Sequence, residues 1–313
     1  MDPAPPFAMT PPDARSSGNL RGILSMLAAM FFFVTNDTLI KITSETLPTP
    51  QIIVIRGAIA VVLVCLFAAA TGVFRRWPRT GWRTIGLRSI GEVGSTLLYL
   101  TALFHMPIAS IVSIMQTMPL VLTVFSAVIL GEIVRWRRWA AVLFGFIGVL
   151  LVVQPGTASF DAYALIGLAS LAFASLRDIS SRYLPAEVPS LIVALVAMSA
   201  TTLAGGVWSL AVPWQPVTPA DLLSLGVAAA LLSGAFYFIT EAMRHGEVSV
   251  VTPFRYSIIL GGIAAGYMVW DQLPDALGTA GIVLIVASGL YVFYRERQVH
   301  HSAPATASES NTQ

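Results

Sequence analysis

Apolar runs of about twenty residues recur along almost the whole chain, separated by short loops rich in helix breakers, and this pattern leaves few folds open. Ten such segments are drawn, at 20–40, 50–73, 84–104, 108–130, 136–153, 162–181, 188–211, 221–242, 248–268 and 276–294. A bilayer core about 30 Å thick is crossed by about 20 helical residues, and a helix satisfies its own backbone where water is absent. Prolines punctuate the connections at Pro48 and Pro50, Pro78, Pro107, Pro155, Pro185 and Pro189, Pro213, Pro216 and Pro219, and Pro274. Only 11% of the residues are charged and 56% are hydrophobic, whereas soluble domains carry about 25% charged residues. The predicted class is an all-α integral membrane protein of ten transmembrane helices.

Several functions are excluded early. The net charge of +2 is too small for a nucleic-acid partner. A single cysteine, Cys65, permits neither an intramolecular disulfide nor a cysteine-based metal site. No metal site and no cofactor is predicted. The sequence contains no H-E-x-x-H, no G-x-S-x-G and no Walker A pattern, so an intramembrane enzyme is the weaker alternative and ATP is not the expected driving force. Residues 1–19 and 298–313 are polar, the first rich in proline and without the features of a signal peptide, and both read as disordered cytoplasmic tails. His300 and His301 belong to the second tail and read as solvated.

Orientation follows from the basic residues of the loops. With the N-terminus inside, fourteen of the eighteen Lys and Arg residues fall on the cytoplasmic side and only Lys41 on the other; Arg56, Arg88 and Arg255 lie within segments. One helix more or fewer would scramble that separation. The expected location is the bacterial inner membrane, multi-pass, with both termini cytoplasmic. Trp77, Trp82, Trp136, Trp139, Trp208, Trp214 and Trp270 fall near the expected interfaces and read as belt anchors.

The halves of the chain resemble one another. An offset of 141 carries Leu27, Ala28, Phe32, Asp37, Lys41 and Pro48 onto Leu168, Ala169, Phe173, Asp178, Arg182 and Pro189. An offset of 139 carries Thr101, Ser110, Val112 and Glu132 onto Thr240, Ser249, Val251 and Asp271. Two five-segment units are read, at 20–155 and 162–295. Five is odd, so the copies are expected to lie upside down relative to each other, the arrangement in which secondary transporters place a site near the midplane.

Polar residues inside the segments mark faces. Arg88, Glu92, Ser95, Thr96 and Tyr99 share one stripe of the third segment. Ser110, Ser113, Gln116 and Thr117 share one in the fourth, and their counterparts Ser249, Thr252, Arg255 and Tyr256 share one in the ninth. The eighth adds Ser233, Tyr237, Thr240 and Glu241. The candidate cavity residues are Glu92, Thr96, Tyr99, Ser113, Gln116, Tyr237, Thr252, Arg255 and Tyr256. The bland alternative is that the hydroxyls hold helices together, contributing about 0.6 kcal/mol each. Glu92 is the deepest carboxylate and the candidate for proton coupling, although Arg88 one turn earlier offers it an ion pair. Asp37 with Arg56, and Asp178 with Arg182, read as structural ion pairs. Pro119 and Pro253 interrupt the two segments whose stripes match.

These residues also carry a family resemblance. Tyr99-Leu-Thr-Ala-Leu-Phe-His-Met-Pro-Ile-Ala-Ser, then Met-Pro-Leu at 118–120 and Leu-Gly-Glu at 130–132, with Arg56 in the second segment, resemble the EamA module of the drug/metabolite transporter superfamily. The likeness spans residues 20–295 as two modules. The second departs from the pattern, with Gly246-Glu247 and Trp270-Asp271 at the corresponding places. The resemblance implies ten helices in two inverted halves, a central cavity lined by segments 1, 3, 4, 6, 8 and 9, and export of small metabolites. Within the superfamily the chain is most similar to the YddG-type exporters of aromatic and other amino acids. An amino acid suits a site that offers a cation, hydroxyls, an amide and aromatic rings. The expected partners are therefore amino acids and the lipid bilayer, the expected assembly is a monomer, and export of another metabolite or drug is the alternative.

Overall fold

The computed structural model describes residues 12–76, 78, 80–129, 136–155, 162–185 and 187–301. Among the described residues every regular element is helical. The helices are α1 (Pro12–Thr43), α2 (Thr49–Ala70), α3 (Trp82–His105), α4 (Ile108–Met115), α5 (Met118–Ile129), α6 (Trp136–Val153), α7 (Tyr163–Arg182), α8 (Ser190–Ser209), α9 (Pro219–His245), α10 (Val248–Val251), α11 (Ser257–Trp270) and α12 (Ala276–His301). Helices fall on all ten apolar segments, and among the described residues six stretches are long and apolar enough to cross a membrane: 18–43, 49–70, 108–125, 163–182, 190–209 and 219–245. α3 is equally long but carries Arg83, Arg88 and Glu92.

Local sequence explains where the helices start. α2 and α8 begin directly after Pro48 and Pro189, and α4 after Pro107. α9 has a full capping box: Thr218 Oγ1 accepts the Asp221 N–H, and the Asp221 carboxylate accepts the Thr218 N–H at 2.9 Å. Pro219 stands in the first turn, where a missing N–H costs nothing.

Two expectations at the chain ends are corrected. The first helix begins at Pro12, so Pro12–Asn19 are helical rather than a disordered tail. Asn19 is held by the turn after α9, its side-chain oxygen accepting the Glu247 N–H at 2.8 Å. The last helix runs to His301, which takes 298–301 out of the predicted second tail. Residues 1–11 and 302–313 lie outside the described residues.

The segments called the fourth and ninth are each broken. Gln116 and Thr117 form a turn between α4 and α5, two residues before Pro119. Thr252–Tyr256 form a 3₁₀ turn around Pro253, between α10 and α11. A proline cannot donate to the carbonyl four residues earlier, so both breaks free backbone acceptors within an apolar run.

Packing pairs the two halves. α1 lies along α9 and α3 along α7; α2 packs on α8, α6 on α12 and α4 on α11. Exchanging first-half elements for their expected counterparts in the second half carries four of these five pairs into the same set; α4 on α11 is the exception. α6 and α12 cross at Gly148 and Gly281. A Cβ on Gly148 would meet the Gly281 carbonyl oxygen at 2.8 Å, and one on Gly281 the Gly148 carbonyl oxygen at 2.5 Å. The end of α1 is tied down at the same time: buried Lys41 donates to the Met106 carbonyl at the end of α3 and lies 5.0 Å over the Trp270 ring. The Trp270 indole N–H donates to Glu45 at 3.0 Å, joining the end of α11 to the turn after α1.

Candidate functional site

α3 and α7 approach closely because α3 presents Gly91 and Gly94. A Cβ on Gly91 would lie 2.7 Å from the Arg177 backbone nitrogen, and Gly94 faces the Phe173 ring. This contact assembles a cluster of charges. Glu92 stands between Arg88, 3.9 Å away on its own helix, and Arg177 of α7 at 3.7 Å. Arg177 Nε also donates to Asp178 at 2.8 Å. Arg88 Nε donates to Ser181 Oγ at 3.1 Å, while its Nη1 is buried without a partner among the described residues. The predicted Arg88–Glu92 pairing is present, and Glu92 has a second cation that the sequence reading did not supply.

Arg255 lies in the 3₁₀ turn and makes no ion pair or side-chain hydrogen bond among the described residues. Gln116, half-buried at the other break, donates its side-chain amide to the Arg255 carbonyl at 3.1 Å. The two interruptions therefore touch, through residues 139 positions apart.

A second polar group lies two turns further along α3. The Tyr99 hydroxyl donates to Asp37 Oδ2 at 2.6 Å, and the Asn36 amide donates to Oδ1 at 2.9 Å. Asp37 is only 6% exposed. Seven residues of helix, about 10.5 Å, separate Tyr99 from Glu92. Thr96 is half-buried between them.

Both expected ion pairs are corrected. Arg56 faces Asp37, but no N···O contact within 4.0 Å joins them among the described residues; the direct partners are the neutral Tyr99 and Asn36. Asp178 pairs with Arg177, its chain neighbour, and Arg182 is exposed one turn away. The extended reach of Arg177 satisfies both Asp178 and Glu92 without Arg182.

The remaining candidates fall in different surroundings. Ser113 is wholly buried and donates to the Ala109 carbonyl of its own helix at 2.6 Å. Thr252 is buried with its hydroxyl unpartnered among the described residues. Tyr256 is buried and its hydroxyl abuts Gly289 of α12, a position no larger residue would fit. Tyr237 is exposed on α9, edge-on to Phe238. No group of three or more His, Cys, Asp or Glu able to hold a metal ion occurs among the described residues.

Among the described residues, six stretches long and apolar enough to cross a bilayer define a multi-pass membrane protein. Comparison with known proteins makes this specific: residues 20–154 match the EamA-like transporter family. The chain is 30% identical over 277 residues to the pseudopaline exporter of Pseudomonas aeruginosa, covering 85% of this chain and 94% of that protein. It is 28% identical to the riboflavin transporter of Vibrio cholerae, over 86% of this chain and 92% of that one. It is 26% identical to the S-adenosylmethionine uptake transporter of Rickettsia prowazekii, over 61% and 65% respectively. A solved crystal structure 22% identical in sequence shares the fold with a TM-score of 0.57, covering 91% of this chain and 99% of its own. The chain belongs to the EamA-like transporter family and is a membrane transporter of small metabolites.

Proposed function

We propose that this protein is a secondary transporter of the bacterial inner membrane that exports amino acids, aromatic and other neutral ones, by alternating access. In this reading ten helices form two inverted five-helix repeats, both termini are cytoplasmic, and the cargo cavity lies between the repeats at the two helix breaks. The observation that carries it is the hydrogen bond from the Gln116 amide to the Arg255 carbonyl. Unwound backbone is tolerated at membrane depth where it is buried in protein or lines a cavity, and broken helices meeting between repeats are where transporters bind cargo. Arg255 offers a cargo carboxylate its guanidinium, and the Gln116 amide is within reach of the same turn. The resemblance to YddG-type exporters supports the choice of amino acids.

A second reading keeps the mechanism and changes the cargo. The relatives that align over most of the chain carry pseudopaline and riboflavin, so export of a larger metabolite is the competing assignment. Purified protein in liposomes, given a panel of radiolabelled amino acids together with riboflavin and S-adenosylmethionine, with and without a proton gradient, separates the two. Accumulation of amino acids alone supports the first reading, and movement of only the larger compounds replaces it with the second.

A further inference from the structure

Asp37 of α1 and Glu92 of α3 are carboxylates set among packed helices, and their surroundings differ. Glu92 stands between the Arg88 and Arg177 guanidiniums, at 3.9 and 3.7 Å. Protonating it would strip two cations of their shared partner. Asp37 is 6% exposed and its hydrogen-bond partners are neutral: the Tyr99 hydroxyl donates to Oδ2 at 2.6 Å and the Asn36 amide to Oδ1 at 2.9 Å. The Asn36 side-chain oxygen beside them is buried without a partner among the described residues. A carboxylate only accepts, whereas a protonated carboxyl also donates. Turning the Asn36 amide over puts its oxygen opposite Asp37 Oδ1, where it accepts from the protonated form. The same pocket thus bonds the carboxyl in either state, which a group that loads and releases a proton requires.

Among the described residues, the titratable and charged neighbours of Asp37 are few. Tyr99 comes from α3, where Glu92 is two turns back, and Arg56 of α2 faces the carboxylate without an N···O contact within 4.0 Å. Lys41, one turn further along α1, is engaged by the Met106 carbonyl and the Trp270 ring. On α9, Gly234 faces Phe32 and Ser224 accepts from Thr43 at 3.0 Å, so residues 225–233 lie opposite Asp37, and none of them titrates. On α11, Gly261 faces Val34 and Trp270 faces Lys41; between them only Tyr267 titrates, and it is exposed. The turn with Arg255 and Tyr256 meets α1 before Val34, since Val251 lies against Gly22. Ionisable groups at membrane depth mark ion and proton pathways. We infer that Asp37 is the proton-carrying group of the transport cycle, taking a proton on Oδ1 in one half of the cycle and returning it in the other. Asn36 and Tyr99 are its positioning residues, and Glu92 belongs to a fixed ion-pair network. The inference rests on the proposed secondary-transport reading and deepens it by naming the coupling ion and its site.

Infrared difference spectra of the purified protein in detergent, recorded as the pH is lowered from about 8 to about 6, test the site without cargo. That interval lies above about 3.9–4.3, where free carboxyls titrate. The carbonyl stretch of one newly protonated carboxyl is expected; Asp37→Asn abolishes it and Glu92→Gln keeps it. Tyr99→Phe removes a donor to the charged form, so it is expected to move the titration upward by about one to two pH units, the worth of one hydrogen bond to a charged group. This variant decides the matter if Asp37→Asn does not fold. In liposomes with the panel of labelled compounds, Asp37→Asn is expected to exchange cargo across the membrane yet lose accumulation driven by a proton gradient. Four results overturn the inference and leave secondary transport standing: no carboxyl band in the parent, a band that follows Glu92 instead of Asp37, a titration unmoved by Tyr99→Phe, or gradient-driven accumulation retained by Asp37→Asn. A parent protein that moves nothing in the panel overturns the transport reading itself, and the coupling role of Asp37 with it.

Discussion

Arg255 and Gln116 are the residues on which the functional reading turns, and they act differently. Arg255→Ala removes the exposed charge, whereas Gln116→Ala removes the link between the two breaks. Hydrogen bonds to charged groups contribute about 1.5–3 kcal/mol, so Arg255→Ala is expected to weaken cargo affinity about ten- to a hundredfold, measured as a raised KM in liposomes at normal protein yield. Gln116→Ala is expected to slow turnover more than it raises KM. A different kind of residue governs behaviour in acid. Asp275, in the loop before α12, accepts the Gln154 side-chain amide at 2.8 Å and the Gly278 N–H at 2.8 Å, and these bonds hold its carboxyl below the usual range. A depressed carboxylate stabilises the fold above its unfolded value, about 3.9, and that contribution is lost as the pH falls through the folded value. Asp275→Asn is therefore expected to lower the melting temperature at neutral pH, and the difference from the parent should shrink as the pH is taken below about 4. Glu92, Arg88, Gln116 and Arg255 were legible because a polar group in an apolar run stands out. Arg177 was not, since it sits near the predicted cytoplasmic end of its segment and reads there as a loop cation. Nor does a helical stripe reveal what lies opposite: Ser113 and Tyr256 share the polar stripe, yet one bonds its own helix and the other packs on Gly289.

Among elements, the two broken helices and the glycine crossing of α6 with α12 set the local geometry. The breaks were foreshadowed by Pro119 and Pro253, although the sequence did not say that one would be a turn of two residues and the other a 3₁₀ turn of five. The difference has a physical source. The chain resumes α-helix at Met118, directly before Pro119, whereas Pro253 is followed by Phe254 and Arg255 in the tighter winding. The sequence places Gly148 in the fifth segment and Gly281 in the tenth but does not say that they meet, because a small residue on one helix does not name the helix it packs on. At this crossing each added Cβ strikes a backbone carbonyl, which cannot rotate away as a side chain does. Gly281→Val is expected to force α6 and α12 apart, at a cost of about 1–3 kcal/mol for overpacking. The loss should appear as a lower thermal midpoint in detergent. Gly86, around which nothing lies within 4 Å, is the control, and Gly86→Val on α3 should leave the midpoint nearly unchanged. Equal effects of the two substitutions would mean that the helices cross elsewhere.

On the scale of the molecule, pairing and charge point the same way. Under the proposed repeat the pairs α1–α9 and α3–α7 exchange, while α2–α8 and α6–α12 map onto themselves. Such a set is what a twofold axis running between the halves produces. Under the proposed plan of five crossings per repeat, that axis lies in the membrane plane and equivalent loops of the two repeats fall on opposite faces. The basic residues discriminate between orientations, because Lys and Arg in short loops are retained on the cytoplasmic side. Fourteen of eighteen fall on one side under the ten-crossing plan, and Lys41, the exception, is buried against Met106 and Trp270 rather than displayed in a loop. Reporters fused after residues 80 and 137 are accordingly expected to read cytoplasmic, and those after 157 and 217 periplasmic. The position after 137 is the most informative of the four. It follows the broken pair α4–α5, whose halves of eight and twelve residues are each too short to cross alone. A periplasmic signal there would mean that the break turns the chain back as a re-entrant hairpin, that the first repeat makes four crossings, and that the halves are parallel instead of inverted.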